Sequence, residues 1–284
     1  MKGMRSFVLK MSAGLAVLTA FSTISAADPF KPSLADQIKL GQQAAHELRT
    51  QKGVVVLPPN DRRVVTLRAI GANLIARIPE KERKERGFEY TFDIIDSKEV
   101  NAFALPGGPV FFYTGLLNKL STEDEIAGIL GHELTHVRNE HWAKQYADEQ
   151  KRALGWLVFL SVIKANNTLG QIADVVNTVA FSLRYSRDHE SEADRVGFDL
   201  MMSAGYNPQG MVEVFRILAK QGSGGPEFLN NHPDPGKRAD IMEARIKAMP
   251  DPHFPAQRPF ADGRMKGASS EVVWGTDGWA TLVK

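Results

Sequence analysis

Cysteine is absent from this 284-residue chain. That absence excludes a disulfide framework, a thiol nucleophile, a Cys-type zinc site and a lipid-bearing N-terminal cysteine. An excess of one charge sign is also lacking: 35 basic against 33 acidic side chains give a net charge of +2, which offers no electrostatic case for nucleic acid. The apolar runs stop short of the roughly 20 residues that cross a bilayer as a helix, so a polytopic membrane protein is excluded. Internal repeats and low-complexity tracts are missing as well. What remains is 43% hydrophobic composition, ordinary for a globular chain and sufficient for one or two domains.

The N-terminus has its own pattern. Lys2, Arg5 and Lys10 precede an apolar run from Met11 to about Ala20, and the small residues Ser22, Ser25, Ala26 and Ala27 follow. This is the layout of a cleavable signal peptide over residues 1–27, with Ser25-Ala26-Ala27 before the cut; an uncleaved anchor is the alternative. Cleavage would remove three basic and no acidic residues and leave a charge of −1, so the basic balance belongs to the export signal. The expected location is the periplasm.

Periodicity then sorts the chain into elements. Residues 34–52 and the stripe Val64, Leu67, Ile70, Leu74, Ile75 and Ile78 read as helices separated by Pro58-Pro59-Asn60. The mixed-charge run Lys81–Arg86 reads as a solvated helix end. Phe88, Tyr90, Phe92 and Ile94 alternate with polar residues and predict a half-buried strand, and 100–105 and 109–114 predict two more around the turn Pro106-Gly107-Gly108. Thr122 and Glu125 form a capping box for a helix expected to reach about residue 148. The apolar stretch 153–163 reads as a buried helix or as a hairpin facing a membrane surface or a partner. Helices are expected over about 170–204, 208–221 and 235–248, with a Gly-rich loop at 222–225. From Pro250 onward the Pro- and Gly-rich tail is expected to pack loosely. The domain reading is 1–27 signal peptide, 28–249 main domain, 250–284 tail.

The chemistry centres on His132-Glu133-Leu134-Thr135-His136. Histidines four apart on a helix project from one face and can share one Zn²⁺, and Glu133 beside them can act as general base on a water there. A catalytic zinc needs a third protein ligand and an open position. The continuation His-x-x-Gly-x-x-His is missing, because Asn139 and Trp142 stand at those places. The candidate is Glu190, with Asp194 four residues later on the same face and able to fix a ligand histidine's tautomer. Glu192 should face away, and His141, five after His136, leaves the metal face; it reads as a helix-surface histidine or one that supports a ligand from behind, not as a ligand. His232 before Pro233 is a removable fourth ligand, an oxyanion partner or a loop cap. Arg238 is an anchor for the acidic cluster.

These residues carry a resemblance. Val100–Gly108, Thr114–Leu117, Asp124–Ala127, His132–His136 with His141, Glu190–Arg195, and His232-Pro233 with Arg238 occur in one order over about residues 34–247. The chain resembles the gluzincin metallopeptidase family of the CAAX prenyl endopeptidase and HtpX, in the soluble periplasmic branch of the beta-barrel assembly-enhancing protease. The resemblance implies an α+β zincin-like (mini-gluzincin) domain, mostly helical, with a small antiparallel sheet whose edge strand faces the active site. It also implies one Zn²⁺ per chain, Glu190 as third ligand, and an edge strand of Asn101, Ala102, Phe103 and Ala104 that pairs with polypeptide substrate. Misfolded envelope proteins are the substrate class it suggests. The membrane helices of some members and the helical repeat domain of others have no counterpart, so their partners are not carried over. The expectation is an exported zinc endopeptidase; the alternative is a latent or non-catalytic, zinc-stabilised envelope chaperone.

Overall fold

The computed structural model describes residues 28–162, 185–220, 232, 234–250, 253–260, 272–274 and 280–282. The expectations for residues 1–27 and 222–225 lie outside the described residues, as do the side chains of 154–163. Helix α1 (Leu34–Thr50) starts at Ser33, whose hydroxyl accepts from the Asp36 N–H, and α2 (Arg62–Ala76) starts at Asp61, which caps Arg63 in the same way. The mixed-charge run forms a separate helix, α3 (Glu80–Arg86), with no buried residue and with Glu80–Lys84 and Lys81–Glu85 pairs along it.

A three-stranded sheet follows: β1 (Thr91–Ile95), β2 (Ala102–Ala104) and β3 (Pro109–Tyr113), in the order β1-β3-β2. β2 is antiparallel to β3, but β1 runs parallel to it, so the sheet is mixed where a wholly antiparallel one was expected. The turn between β2 and β3 needs positive φ at Gly107 (80°) and Gly108 (137°) and makes those two strands a hairpin. β3 carries Val110, Phe111 and Phe112, all fully buried, and therefore takes the central place. β1 must dock on its far side. Alternation reports which face of a strand is wet, not which way its neighbour runs.

Helix α4 (Thr114–Leu117) leads to α5 (Glu123–Arg138), which opens with the full capping box of Thr122 and Glu125. α5 stops ten residues before its expected end. Glu140 adopts φ 53° there, held by Lys31, Arg86 and the Gln37 amide, and α6 (His141–Val162) begins after it. No Gly or Pro marks this break, so the sequence pattern runs through it. Then come α7 (Arg187–Ser203), α8 (Gln209–Ala219) and α9 (Pro235–Lys247), and a short hairpin of β4 (Val272–Trp274) and β5 (Ala280–Leu282). Part of the tail is not loose. Residues 253–260 lie on the start of α5, where Phe260 N–H donates to Ser121 O and fully buried Asp124 accepts from the N–H groups of Arg258 (2.7 Å) and Asn207 (2.6 Å). Among the described residues no helix is long and apolar enough to cross a membrane.

α5 is the axis of the molecule. Every residue from Glu123 to Val137 is buried, and the helix packs against α2, α6, α7, α8 and β2. α7 crosses it at a glycine pair: a Cβ on Gly197 would stand 2.7 Å from both Gly131 C and His132 N. Gly197→Ala should therefore push the helices apart and cost about 1–3 kcal/mol. Thermal melting checks this, and an unchanged midpoint would show that the crossing tolerates a methyl group.

Candidate metal centre

His132 and His136 stand one turn apart on α5 with their Nε2 atoms 3.0 Å from each other. Glu190, in the first turn of α7, brings Oε1 to 3.4 Å from His136 Nε2 and Oε2 to 3.6 Å from His132 Nε2. His232, just before α9, places Nδ1 3.2 Å from His132 Nε2 and 2.9 Å from Glu190 Oε1. The four residues are buried, and their donor atoms lie within 4.8 Å of one another. Zinc bonds of about 2.0–2.1 Å in a tetrahedron separate the donors by roughly 3.3 Å, so these spacings fit one ion. Glu133 Oε1 is buried without a hydrogen bond, so an acceptor lone pair is left beside the donor cluster. An imidazole and carboxylate donor set suits Zn²⁺. The residues present therefore fit the ion.

A cation anchors the acidic side. Arg238, on α9, donates from Nε to Asp194 Oδ2 (2.8 Å) and from Nη2 to Asp194 Oδ1 (2.6 Å), a bidentate pair. Its Nη1 lies 2.9 Å from Glu190 Oε2, and its guanidinium covers the Phe215 ring at 4.2 Å. Asp194 Oδ1 is 2.9 Å from His132 Nδ1. That contact suits a proton on Nδ1 and leaves Nε2 bare toward the centre.

Burial works against charge throughout the site, and neighbours decide each outcome. Burial pushes the Glu133 carboxyl up, only partly offset by His232 and His132. It opposes ionisation of Glu190 as well, yet His232 and His132 hold that carboxyl well below its usual range. Asp194 is likewise buried and is held low by Arg238 and His132. Burial keeps His136 neutral, its pKa well below the ordinary value. His232 moves the other way: burial disfavours its charge, but Glu190 and Glu133 raise it.

The structure brings His132, Glu133, His136, Glu190, Asp194, His232 and Arg238 together. The four strand residues are placed less uniformly. Ala104 shares a narrow groove with His136 and Tyr185. Phe103 turns away and stacks on Phe111 at 5.4 Å, in a separate apolar cluster. Asn101 is buried with both side-chain polar atoms unpartnered. The carbonyl of Asn101 accepts from Tyr113 N–H, and Leu105 N–H donates to Pro109 O, so residues 101, 103 and 105 face β3. By alternation, the backbone groups of Ala102 and Ala104 point to the outer edge. Tyr185 had no signal in the sequence, yet its ring stacks on His136 at 3.9 Å. Glu192 leaves the centre as expected but ends against His141, which is buried behind His136.

The family model described as peptidase family M48 matches residues 62–246. The chain belongs to that family. Among curated proteins it is similar to the mitochondrial metalloendopeptidase OMA1 of Arabidopsis thaliana, 29% identical over 55% of this chain and 31% of the relative. It is 31% identical to the beta-barrel assembly-enhancing protease of Escherichia coli strain K12, over 56% of this chain and 34% of the relative. It is 32% identical to the metalloprotease YcaL of the same strain, over 56% of this chain and 63% of the relative. The matched region thus spans about a third of the first of these relatives and under two thirds of the last.

Removing the anchor tests the electrostatics. Arg238→Met would leave Asp194 and Glu190 buried without their cation, which should cost about 3–5 kcal/mol. The pKa of Asp194 is depressed, so the stabilisation from its pairing is present at neutral pH and is lost as pH falls through its folded value. Denaturant melts at neutral and acid pH should show the gap between variant and wild type narrowing on acidification.

Proposed function

We propose that this chain is an exported zinc-dependent endopeptidase with one Zn²⁺ per chain held by His132, His136 and Glu190. The carrying observation is the buried donor set with the unpartnered Glu133 Oε1 beside it. A bound Zn²⁺ supplies Lewis acidity, polarising the scissile carbonyl and acidifying a water. Glu133 takes the proton of the attacking water and passes it to the leaving amine. Its burial-raised pKa suits both halves of that transfer. Asp194 and Arg238 hold His132 in the ligating tautomer. An extended peptide would pair with the outward backbone groups of Ala102 and Ala104, so that β2 gains a strand. These residues are at most 8% exposed, so the substrate must first displace what covers them; Tyr185 lines the same groove as Ala104.

His232 supports a resting, latched state. Its Nδ1 occupies the fourth donor position that a water or carbonyl needs, and a catalytic zinc site requires that position open. The same four-donor set favours the second reading, a latent or non-catalytic envelope chaperone that keeps zinc for stability. The proposal extends to a cleavable signal peptide at 1–27, a peptidase domain at 28–249, a tail at 250–284 and a periplasmic location without lipid attachment. Misfolded envelope proteins are the proposed substrates, nucleic acid is not a partner, and the apolar segment 153–163 is the proposed contact with a membrane surface or partner.

The test is zinc content together with casein cleavage. Wild type should hold one zinc, and Glu133→Gln should keep it while losing cleavage by about 10²–10⁴-fold. His232→Ala should cleave faster than wild type. Zinc retained with no cleavage by wild type or His232→Ala would sink the peptidase in favour of the chaperone.

A further inference from the structure

The His136 ring faces two ways. Nε2 points into the metal centre, and Nδ1 lies 2.9 Å from His141 Nδ1. His141 opens α6 and is fully buried, and its Nε2 lies 3.0 Å from Oε2 of Glu192 on α7. Two ring nitrogens at that distance share one proton, so the row has a direction. A nitrogen that ligates a cation carries no proton. His136, ligating through Nε2, therefore keeps its proton on Nδ1 and donates it to His141 Nδ1. The proton of His141 then sits on Nε2 and is donated to Glu192. Each hydrogen bond runs outward and the row ends on an anion. The reverse order would protonate His136 Nε2, removing its lone pair from the centre, and would set a bare His141 nitrogen against a carboxylate.

We propose that His141 and Glu192 are positioning residues for His136, fixing its tautomer and ring orientation through an intervening imidazole. Asp194 does the same for His132 by direct contact. The arrangement depends on the break after α5. On a continuous helix, position 141 would point roughly 140° away from position 136. The turn at Glu140 (φ 53°) restarts the chain so that His141 returns behind the ligand. Stacking holds both rings in place: His189 lies on His141 at 4.4 Å and 10°, and Tyr185 lies on His136 at 3.9 Å and 18°. The carboxylate end is reachable without disturbing the core, because the Glu192 side chain is 39% exposed.

This inference rests on the metallopeptidase reading, and its test uses binding, not turnover. Zinc affinity is measured on the purified protein by competition with a chromogenic chelator, beside the visible spectrum of the Co²⁺-loaded form and the thermal midpoint of the metal-free form. Glu192→Ala should weaken zinc binding by about 10-fold and His141→Phe by about 10–100-fold. Glu192→Gln, whose amide oxygen still accepts from His141, should restore affinity to near wild type. The Co²⁺ spectrum should shift in Glu192→Ala while the metal-free midpoint stays put, which a merely structural role would not produce. Wild-type affinity and an unchanged Co²⁺ spectrum in Glu192→Ala would overturn this inference alone. Absence of zinc binding by wild type would overturn it together with the metallopeptidase reading.

Discussion

Two helices touch at a pair of glycines, and the placement of Glu190 and Asp194 beside the imidazoles of His132 and His136 depends on that contact. Gly131 immediately precedes His132 on α5, and Gly197 lies on the α7 face that carries Glu190 and Asp194. With no side chain between them, the backbones approach until Gly197 would clash if it carried a Cβ. Only at that distance does the short Asp194 side chain reach His132 Nδ1, and only then does Glu190 stand beside both imidazoles. A packing constraint between small residues thus sets the dimensions of a charged site.

That site lies where charge is costly. Glu133, Glu190, Asp194 and Arg238 are all buried, so each bears a desolvation cost. Arg238 meets two of the three carboxylates, and Phe215 covers the guanidinium face that they do not use. The third carboxylate, Glu133, has no arginine against it, and its Oε1 makes no hydrogen bond, with His232 Nε2 3.6 Å away. A structure built only for stability would have no reason to keep it. Its cost is intelligible if the group has a proton to move.

The same surroundings close the centre. His232 is the fourth residue of the donor cluster, Tyr185 lies across His136, and Ala102 and Ala104 of β2 are buried. The tail segment 253–260 and buried Asp124 brace the other end of α5.

Much of this was legible in the chain itself. The capping box, the one-turn spacing of His132 and His136 and the shared face of Glu190 and Asp194 are local, governed by a helical period that any reader of the sequence can apply. The hairpin turn at Gly107-Gly108 is local in the same sense. Tertiary structure decided the rest. The break at Glu140 follows from Lys31, Gln37 and Arg86, which come from the residues just before α1, from α1 and from α3. The parallel pairing of β1 follows from β3 taking the central place, and the row from His136 through His141 to Glu192 exists only because three helices converge. Spacing rules act over a turn or a strand. Partners brought together from distant parts of the chain leave no periodic trace in it.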